Sequence, residues 1–334
     1  MIRIELPLAP IRGPASVNVY LLTGEPLTLV DTGPRTEAAW AALQAGLAAH
    51  GYRLADLEQV VITHAHVDHY GQAARIVNSS APWRGSSTVA GLMAEPPEVL
   101  AHAESVPRLN GEAEFRERAW AFLFDTVRQA GAPSEPLARR IAAMRQEEPW
   151  TEPVHVTRSV AEGEFITQGQ EAWQVIYLPG HAPGLIGLYR PETAELLLSD
   201  HLLPDISSAP GVYVPDAEGR PRHPYMTDYV ASLRRVTEIP VRTAWPAHGE
   251  PFTDVVGLVE RRLAEHSHQA AELAALLAGG EKTAYQLWQN LFPRLLPLDP
   301  LNGTIQIVSH LDLLEAEGQV QAYEREGQLY YRLL

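Results

Sequence analysis

In Thr63-His64-Ala65-His66-Val67-Asp68-His69-Tyr70-Gly71, three histidines and a carboxylate fall within the six residues 64–69. Imidazole nitrogen and carboxylate oxygen are good donors for zinc and similar divalent ions. The preceding run, Leu57-Glu58-Gln59-Val60-Val61-Ile62, ends apolar and β-branched and reads as a buried strand. Gly71 to Val77 reads as a helix. The cluster is therefore expected on a tight strand-to-helix loop at the carboxyl end of a strand, where open α/β sheets build their sites. Extended backbone would turn His64, His66 and Asp68 to one face. Asp68 and its neighbour His69 can both join that face only if the chain curls. Four donors this close would serve one ion poorly and two ions well. The bland alternative is a loop of solvated histidines, since burying so many imidazoles without a metal leaves polar atoms unpaired.

Three further polar residues each follow a run that reads as a strand. His181 follows Val175-Ile176-Tyr177-Leu178, Asp200 follows Leu196-Leu197-Leu198-Ser199, and His248 follows a run ending at Trp245. One sheet can bring such ends together.

In this order the motifs resemble the metallo-β-lactamase superfamily of hydrolases, whose early Asp-Thr-Gly turn is matched by Asp31-Thr32-Gly33. The resemblance covers about residues 1–252. It implies an α+β fold, a four-layer αββα sandwich with a two-metal site between the sheet edges. It also implies that His64, His66 and His181 bind one metal, that Asp68, His69 and His248 bind the other, and that Asp200 bridges both. Asp31 looks like a group that orients a ligand, or equally a turn residue. Asp68, Asp31 and His201, the neighbour of Asp200, are the candidate catalytic residues. His102 and His223 could reach the site from loops. His50, His155, His266, His268 and His310 read as ordinary surface or helix residues. Tyr70, Tyr177, Tyr225 and Tyr229 are candidate pocket hydroxyls, although a tyrosine in the core or at the rim is commoner.

Two divalent ions about 3.5–4 Å apart can share one water, lower its pKa toward about 7 and polarise a substrate oxygen. The expected activity is hydrolysis of a thioester, ester or lactone by a metal-bridging hydroxide. A phosphodiesterase or endoribonuclease could use the same site. The superfamily also contains mono-iron persulfide dioxygenases with similar ligands. Two zinc ions per chain are expected, with iron or manganese admitted by the same donors. Exported zinc β-lactamases commonly carry Cys or Ser where this chain has Asp200. Flavodiiron proteins carry Glu where it has His66. The chain thus stands nearer the hydroxyacylglutathione hydrolase, lactonase and nuclease branches.

The elements that must position these residues read as strands over 2–8, 16–23 and 27–30, a helix over 36–50 closed by Gly51, and a short strand near 87–90. A helical insertion is expected at about 92–150, with helices over 112–130 and 137–148. Its Phe115, Trp120, Phe122 and Phe124 could roof the pocket or pack on the body of the protein. Strands resume over 154–157, 172–178, 185–189 and 195–198, followed by a helix over 228–236, a strand over 241–245 and a long helix over 252–277. The catalytic domain is taken as 1–252. Residues 253–334 are taken as a linker helix and a small winged-helix-like domain.

At 46% apolar and 20% charged residues, the composition is that of a soluble globular protein. No apolar run approaches the ~20 residues of a membrane span. The N-terminal strand pattern lacks the apolar core of a signal peptide, so a cytoplasmic location is expected. With no cysteine, disulfides and thiolate ligands are absent. The net charge of −15 weighs against a nucleic-acid partner. Residues 281–334 repeat that sign, with four basic side chains against seven acidic ones. A small-molecule substrate is expected, and a homodimer is open.

Overall fold

Alternation along the strands sorts their side chains between two cores. In the computed structural model, which describes residues 1–8, 14–80, 95–146, 151–167, 172–208, 210–215, 222–293 and 300–334, six strands form the first sheet. They are β1 (Ile2–Pro7), β2 (Ser16–Leu22), β3 (Thr28–Val30), β4 (Gln59–Ile62), β5 (Glu98–His102) and β6 (Arg158–Val160), paired in chain order. From β3 to β6 they run parallel. Val19, Leu21, Leu29, Val60, Ile62 and Val99 point outward, onto α1 (Glu37–Ala49) and onto α3 (Ala73–Ser80), which follows the one-turn α2 (Val67–Tyr70). Their neighbours Tyr20, Leu22, Val30, Val61 and Leu100 point inward.

The second sheet contains β7 (Gln174–Tyr177), β8 (Ile186–Arg190), β9 (Glu195–Ser199) and β10 (Thr243–Pro246), in the order β10-β9-β8-β7. Its Val175, Leu188 and Leu197 meet the inward face of the first sheet around Trp173. Between the sheets in sequence lie α4 (Val106–Leu109), α5 (Ala113–Gln129) and α6 (Ser134–Gln146). Outside the second sheet, Ile176, Leu196 and Leu198 pack on α7 (Tyr225–Val236) and α8 (Val255–Ala278). The layers are therefore helix, sheet, sheet, helix.

The chain ends in β11 (Lys282–Thr283), α9 (Ala284–Leu291), α10 (Pro300–Ala316), β12 (Val320–Arg325) and β13 (Gln328–Leu333), with the sheet order β11-β13-β12. Its core runs through Leu287, Trp288, Leu311 and Tyr331 to Leu273 and Leu277 of α8.

The insertion expected over 92–150 is divided. Glu98–His102 is strand β5, paired on both sides, and the helices begin only after it. A parallel strand buried on both faces has no alternation to betray it. Strand 154–157 is also displaced. Val154 N–H donates to Leu109 O (2.8 Å) and Val156 N–H to Asn110 Oδ1 (3.0 Å), so ladder pairing starts at Arg158. The short strand near 87–90 and the last residues of the 137–148 helix lie outside the described residues. Trp120, Leu123 and Phe124 of α5 pack with Leu137 and Ile141 of α6 and Leu301 of α10. Among the described residues no helix is long and apolar enough to cross a membrane.

His266 and His310, read as ordinary helix residues, form a buried pair between α8 and α10, His266 Nδ1 lying 3.1 Å from His310 Nε2. Burial, with His310 and Arg262 beside it, pushes His266 down to about 4. Unfolded, its value is about 6.5. Between those values only the unfolded chain binds the proton, so stability is complete above about 6.5 and is lost as pH falls. Denaturant unfolding should show that the wild type loses about 2 kcal/mol more than His266→Gln between pH 7 and 5. Equal slopes would contradict this.

Candidate metal centre

Strand ends deliver the donors. β3 ends at Val30, just before Asp31, and β4 ends at Ile62, two residues before His64. In the second sheet β7, β9 and β10 run in one direction. They lead into His181, Asp200 and His248. The two sheets are stitched at this edge. Ile186 N–H donates to Thr63 O (3.0 Å), and Asn18 N–H to Ala247 O (2.7 Å). The buried Asn18 amide also donates to Pro246 O (3.0 Å) and Gly249 O (2.8 Å), and Tyr20 OH donates to Pro246 O (2.6 Å). His66 is extended and caps α2, whose single turn supplies the curl that brings Asp68 and His69 to one face.

The donor atoms form two groups. His64, His66, His181 and Asp200 lie with one donor atom each within 4.8 Å of one another, and so do Asp68, His69 and His248. His66 Nδ1 is 3.0 Å from His64 Nε2 and 3.1 Å from His181 Nε2. Asp200 Oδ2 lies 3.5 Å from His181 Nε2 and 4.0 Å from His64 Nε2. Its other oxygen, Oδ1, lies 3.5 Å from His69 Nε2 and 3.4 Å from His248 Nε2. Asp68 Oδ2 is 3.4 Å from His248 Nε2 and 3.9 Å from His69 Nε2.

These contacts fit cations. The far nitrogen of each imidazole has a partner: Thr63 Oγ1 for His64 Nδ1 (3.2 Å), Tyr213 OH for His66 Nε2 (2.9 Å), Ser208 Oγ for His181 Nδ1 (2.9 Å), Asp31 Oδ2 for His69 Nδ1 (2.7 Å) and Ser16 O for His248 Nδ1 (2.7 Å). Ser16 O and the Asp31 carboxylate only accept, so His248 and His69 carry a proton on Nδ1, which leaves Nε2 as the nitrogen that would face a metal. His69 Nε2 and Asp200 Oδ1 are buried with no hydrogen-bond partner among the described residues. Two nitrogens each about 2.0–2.1 Å from a tetrahedral ion stand about 3.3 Å apart, close to the spacings here.

Protonation divides the imidazoles: burial pushes His64 and His66 toward the neutral form, whereas at His248 burial is outweighed by Asp68 and Asp200, which raise it. Burial, then the neighbouring His69 and His66, pushes His64 well down. Burial and His181 take His66 to about 3. Burial opposes ionisation of Asp200 and Asp68, yet His69 with its neighbouring imidazoles holds Asp200 well below the usual carboxylate range and Asp68 at about 2. Neutral imidazole and ionised carboxylate are the ligating forms. Burial also disfavours charge on His69, but Asp200, Asp31 and Asp68 hold it well above its usual value, so the pocket favours positive charge there.

The surroundings are densely bonded. Asp31 (φ 58°) and Ser199 (φ 49°) both adopt left-handed backbone, which costs of order 1–3 kcal/mol each. The Asp31 carboxylate accepts from Thr63 N–H (2.8 Å) and Thr63 Oγ1–H (2.7 Å) as well as from His69. Thr63 Oγ1 in turn lies 2.8 Å from Ser199 Oγ. Gly180 (φ 128°), just before His181, passes so close to α7 that a Cβ there would stand 2.4 Å from Tyr229 Cα.

Seven expected donors are brought together, with Asp31 behind His69. His201 is not. Its ring is buried against Tyr229, with Nε2 3.3 Å from Ser232 Oγ, and it joins neither group. The turn after β9 aims Asp200 into the site and the next side chain back at α7. His102 stacks on Tyr177 at 4.6 Å, and His223 pairs with Asp228 at 2.5 Å. Tyr177 and Tyr229 spend their hydroxyls on Glu104 and His201 O, and Tyr70 is in the core. Sequence reasoning missed Thr63, Ser208 and Tyr213 as partners of the donors. A lone hydroxyl in a loop carries no spacing signal.

Residues 12–248 match the family described as "Metallo-beta-lactamase superfamily". The chain is 31% identical over 333 residues to a probable metallo-hydrolase of Bacillus subtilis (strain 168), covering 100% of this chain and 97% of that one. A metallo-beta-lactamase family protein of Thermus thermophilus superposes with TM-score 0.77 at 27% identity, over 99% of this chain and 98% of that one. A beta-lactamase domain protein from Burkholderia ambifaria shares the fold with TM-score 0.74 at 21% identity, over 99% and 92%. The chain belongs to the metallo-β-lactamase superfamily. It is a metal-dependent hydrolase with His/Asp clusters suited to divalent metal.

Asp31→Asn keeps the size of the side chain but weakens its hold on His69. Chelator competition should show about 10–100-fold weaker binding at the Asp68–His69–His248 group and little change at the other. Unchanged affinity at both would remove Asp31 from the support of the site.

Proposed function

We propose that this protein is a dinuclear hydrolase of a thioester, ester or lactone. In this reading His64, His66 and His181 hold one ion, Asp68, His69 and His248 hold the other, and Asp200 gives an oxygen to each. The observation that carries it is Asp200 itself, a buried carboxylate with one oxygen turned to each group and no hydrogen bond to Oδ1 among the described residues. A pair of divalent ions supplies an activated water as nucleophile and an electrophile for the substrate oxygen. Asp68, whose side chain is 25% exposed against 10% for Asp200, is the more accessible of the two carboxylates and would take up the proton that an activated water gives up. Oxygen and nitrogen donors alone admit zinc first, and iron or manganese as well.

The C-terminal chemistry favours a small substrate over a nucleic acid. Arg325 pairs with Glu281 and lies 3.8 Å from the Tyr330 ring centroid, while Arg332 bonds Gln321 (2.8 Å) and faces Tyr323. Both cations of the β12–β13 hairpin are thus engaged within the unit, whereas phosphate binding calls for free ones. We read 1–252 as the catalytic domain of a cytoplasmic enzyme. Residues 253–334 are then a linker helix and winged-helix-like unit used for packing or dimerisation.

The test is turnover by protein stripped with chelator and reloaded separately with zinc, manganese and iron. The substrate panel holds thioesters, esters, lactones and phosphodiesters. Metal-dependent cleavage of a carboxylic derivative is expected, with Asp68→Ala and His69→Ala inactive but folded. Cleavage of phosphodiesters alone would replace this reading with a nuclease. Oxygen consumption with a single iron and no hydrolysis would replace it with an oxygenase.

A further inference from the structure

Tyr213 lies outside every motif that points to the metal centre, yet its hydroxyl touches two of the donor residues. Tyr213 OH donates to His181 O (2.9 Å) and stands 2.9 Å from His66 Nε2. A carbonyl oxygen can only accept, so the single phenolic proton goes to His181. The phenolic oxygen must then accept from His66, which places the imidazole proton on Nε2. The lone pair of His66 Nδ1 is thereby left facing His64 and His181. A phenol keeps its proton at neutral pH. The ring lies near that of His66, with centroids 6.3 Å apart and planes 27° from parallel, and meets the edge of Tyr225 at 5.3 Å.

The segment around Tyr213 is held by elements that contribute no donor. Arg118 of α5 donates to Pro215 O (2.9 Å), and Ser309 Oγ of α10 lies 3.3 Å from Pro210 O, its single proton shared with Ile305 O at 3.0 Å. Val212 packs against the core of the C-terminal unit. The helices after β5 and the C-terminal unit therefore grip the two ends of the segment that carries Tyr213.

We propose that Tyr213 is a positioning residue for the first donor group, setting the tautomer of His66 and the backbone of His181, and that α5 and α10 reach the metal centre through it. This rests on reading the site as a metal centre. No residue outside the superfamily domain would then contact a metal, yet the C-terminal unit would govern how tightly one is held.

The test variant is Tyr213→Phe, which keeps the ring and removes the hydroxyl. Chelator competition with zinc should resolve two affinities in the wild type. The variant should lose about 10–100-fold at one of them and keep the other. In histidine-labelled, zinc-loaded protein, nitrogen NMR should show the His66 proton on Nε2 in the wild type and a perturbed signal in the variant. A role confined to packing would leave the affinities alone or weaken both alike. Arg118→Ala and Ser309→Ala should shift the same affinity in the same direction by a smaller factor. Wild-type zinc binding at both sites of Tyr213→Phe would overturn the proposal. A wild type that takes up no zinc would overturn the metal-centre reading beneath it.

Discussion

Everything in this structure bears on one electrostatic problem, the placing of Asp200 against imidazoles from both sheets. A buried carboxylate is unfavourable unless positive charge or donors compensate it. Asp200 Oδ1 has no hydrogen bond among the described residues, and one of its neighbours, His69 Nε2, has none either. Two cations between the oxygens of Asp200 and the inward nitrogens would satisfy both atoms at once. The rest of the fold keeps the donors from relaxing into some other arrangement.

That restraint is spread across the sandwich. The inner face built on Trp173, Val61 and Leu197 holds the sheets together, and Asn18 and Tyr20 bind the loop of His248 to the first sheet. Thr63 links Asp31, Ser199 and His64 in one run of short contacts. The left-handed backbone at Asp31 and Ser199 is costly in isolation. Each lies where a strand stops and its side chain must turn toward the site. Strain at these two residues and rigidity of the donors are thus parts of one device.

The donors could be read in the sequence because five motifs follow strand-like runs, and the strand-to-loop transition is a local signal carried by β-branched and apolar runs. The layers followed for the same reason, with Leu196, Leu197 and Leu198 dividing between outer and inner cores. Three features were beyond that kind of reading. Strand β5 is short and paired on both sides, so it shows no alternation that would set it apart from the helices after it. His201 is adjacent to a donor, but the turn sends its ring to Ser232. Tyr213 acts from a segment placed by Arg118 and Ser309, contacts 97 and 99 residues away in sequence. Such partnerships come from tertiary packing, which no local pattern records.

The most direct measurement is a crystal structure of zinc-loaded protein with anomalous diffraction at the zinc edge. Two peaks about 3.5–4 Å apart are expected, one among His64, His66 and His181, the other among Asp68, His69 and His248, with Asp200 between them. A single peak, with Asp68 and His248 turned away from it, would rule out Asp200 as a carboxylate shared between two ions.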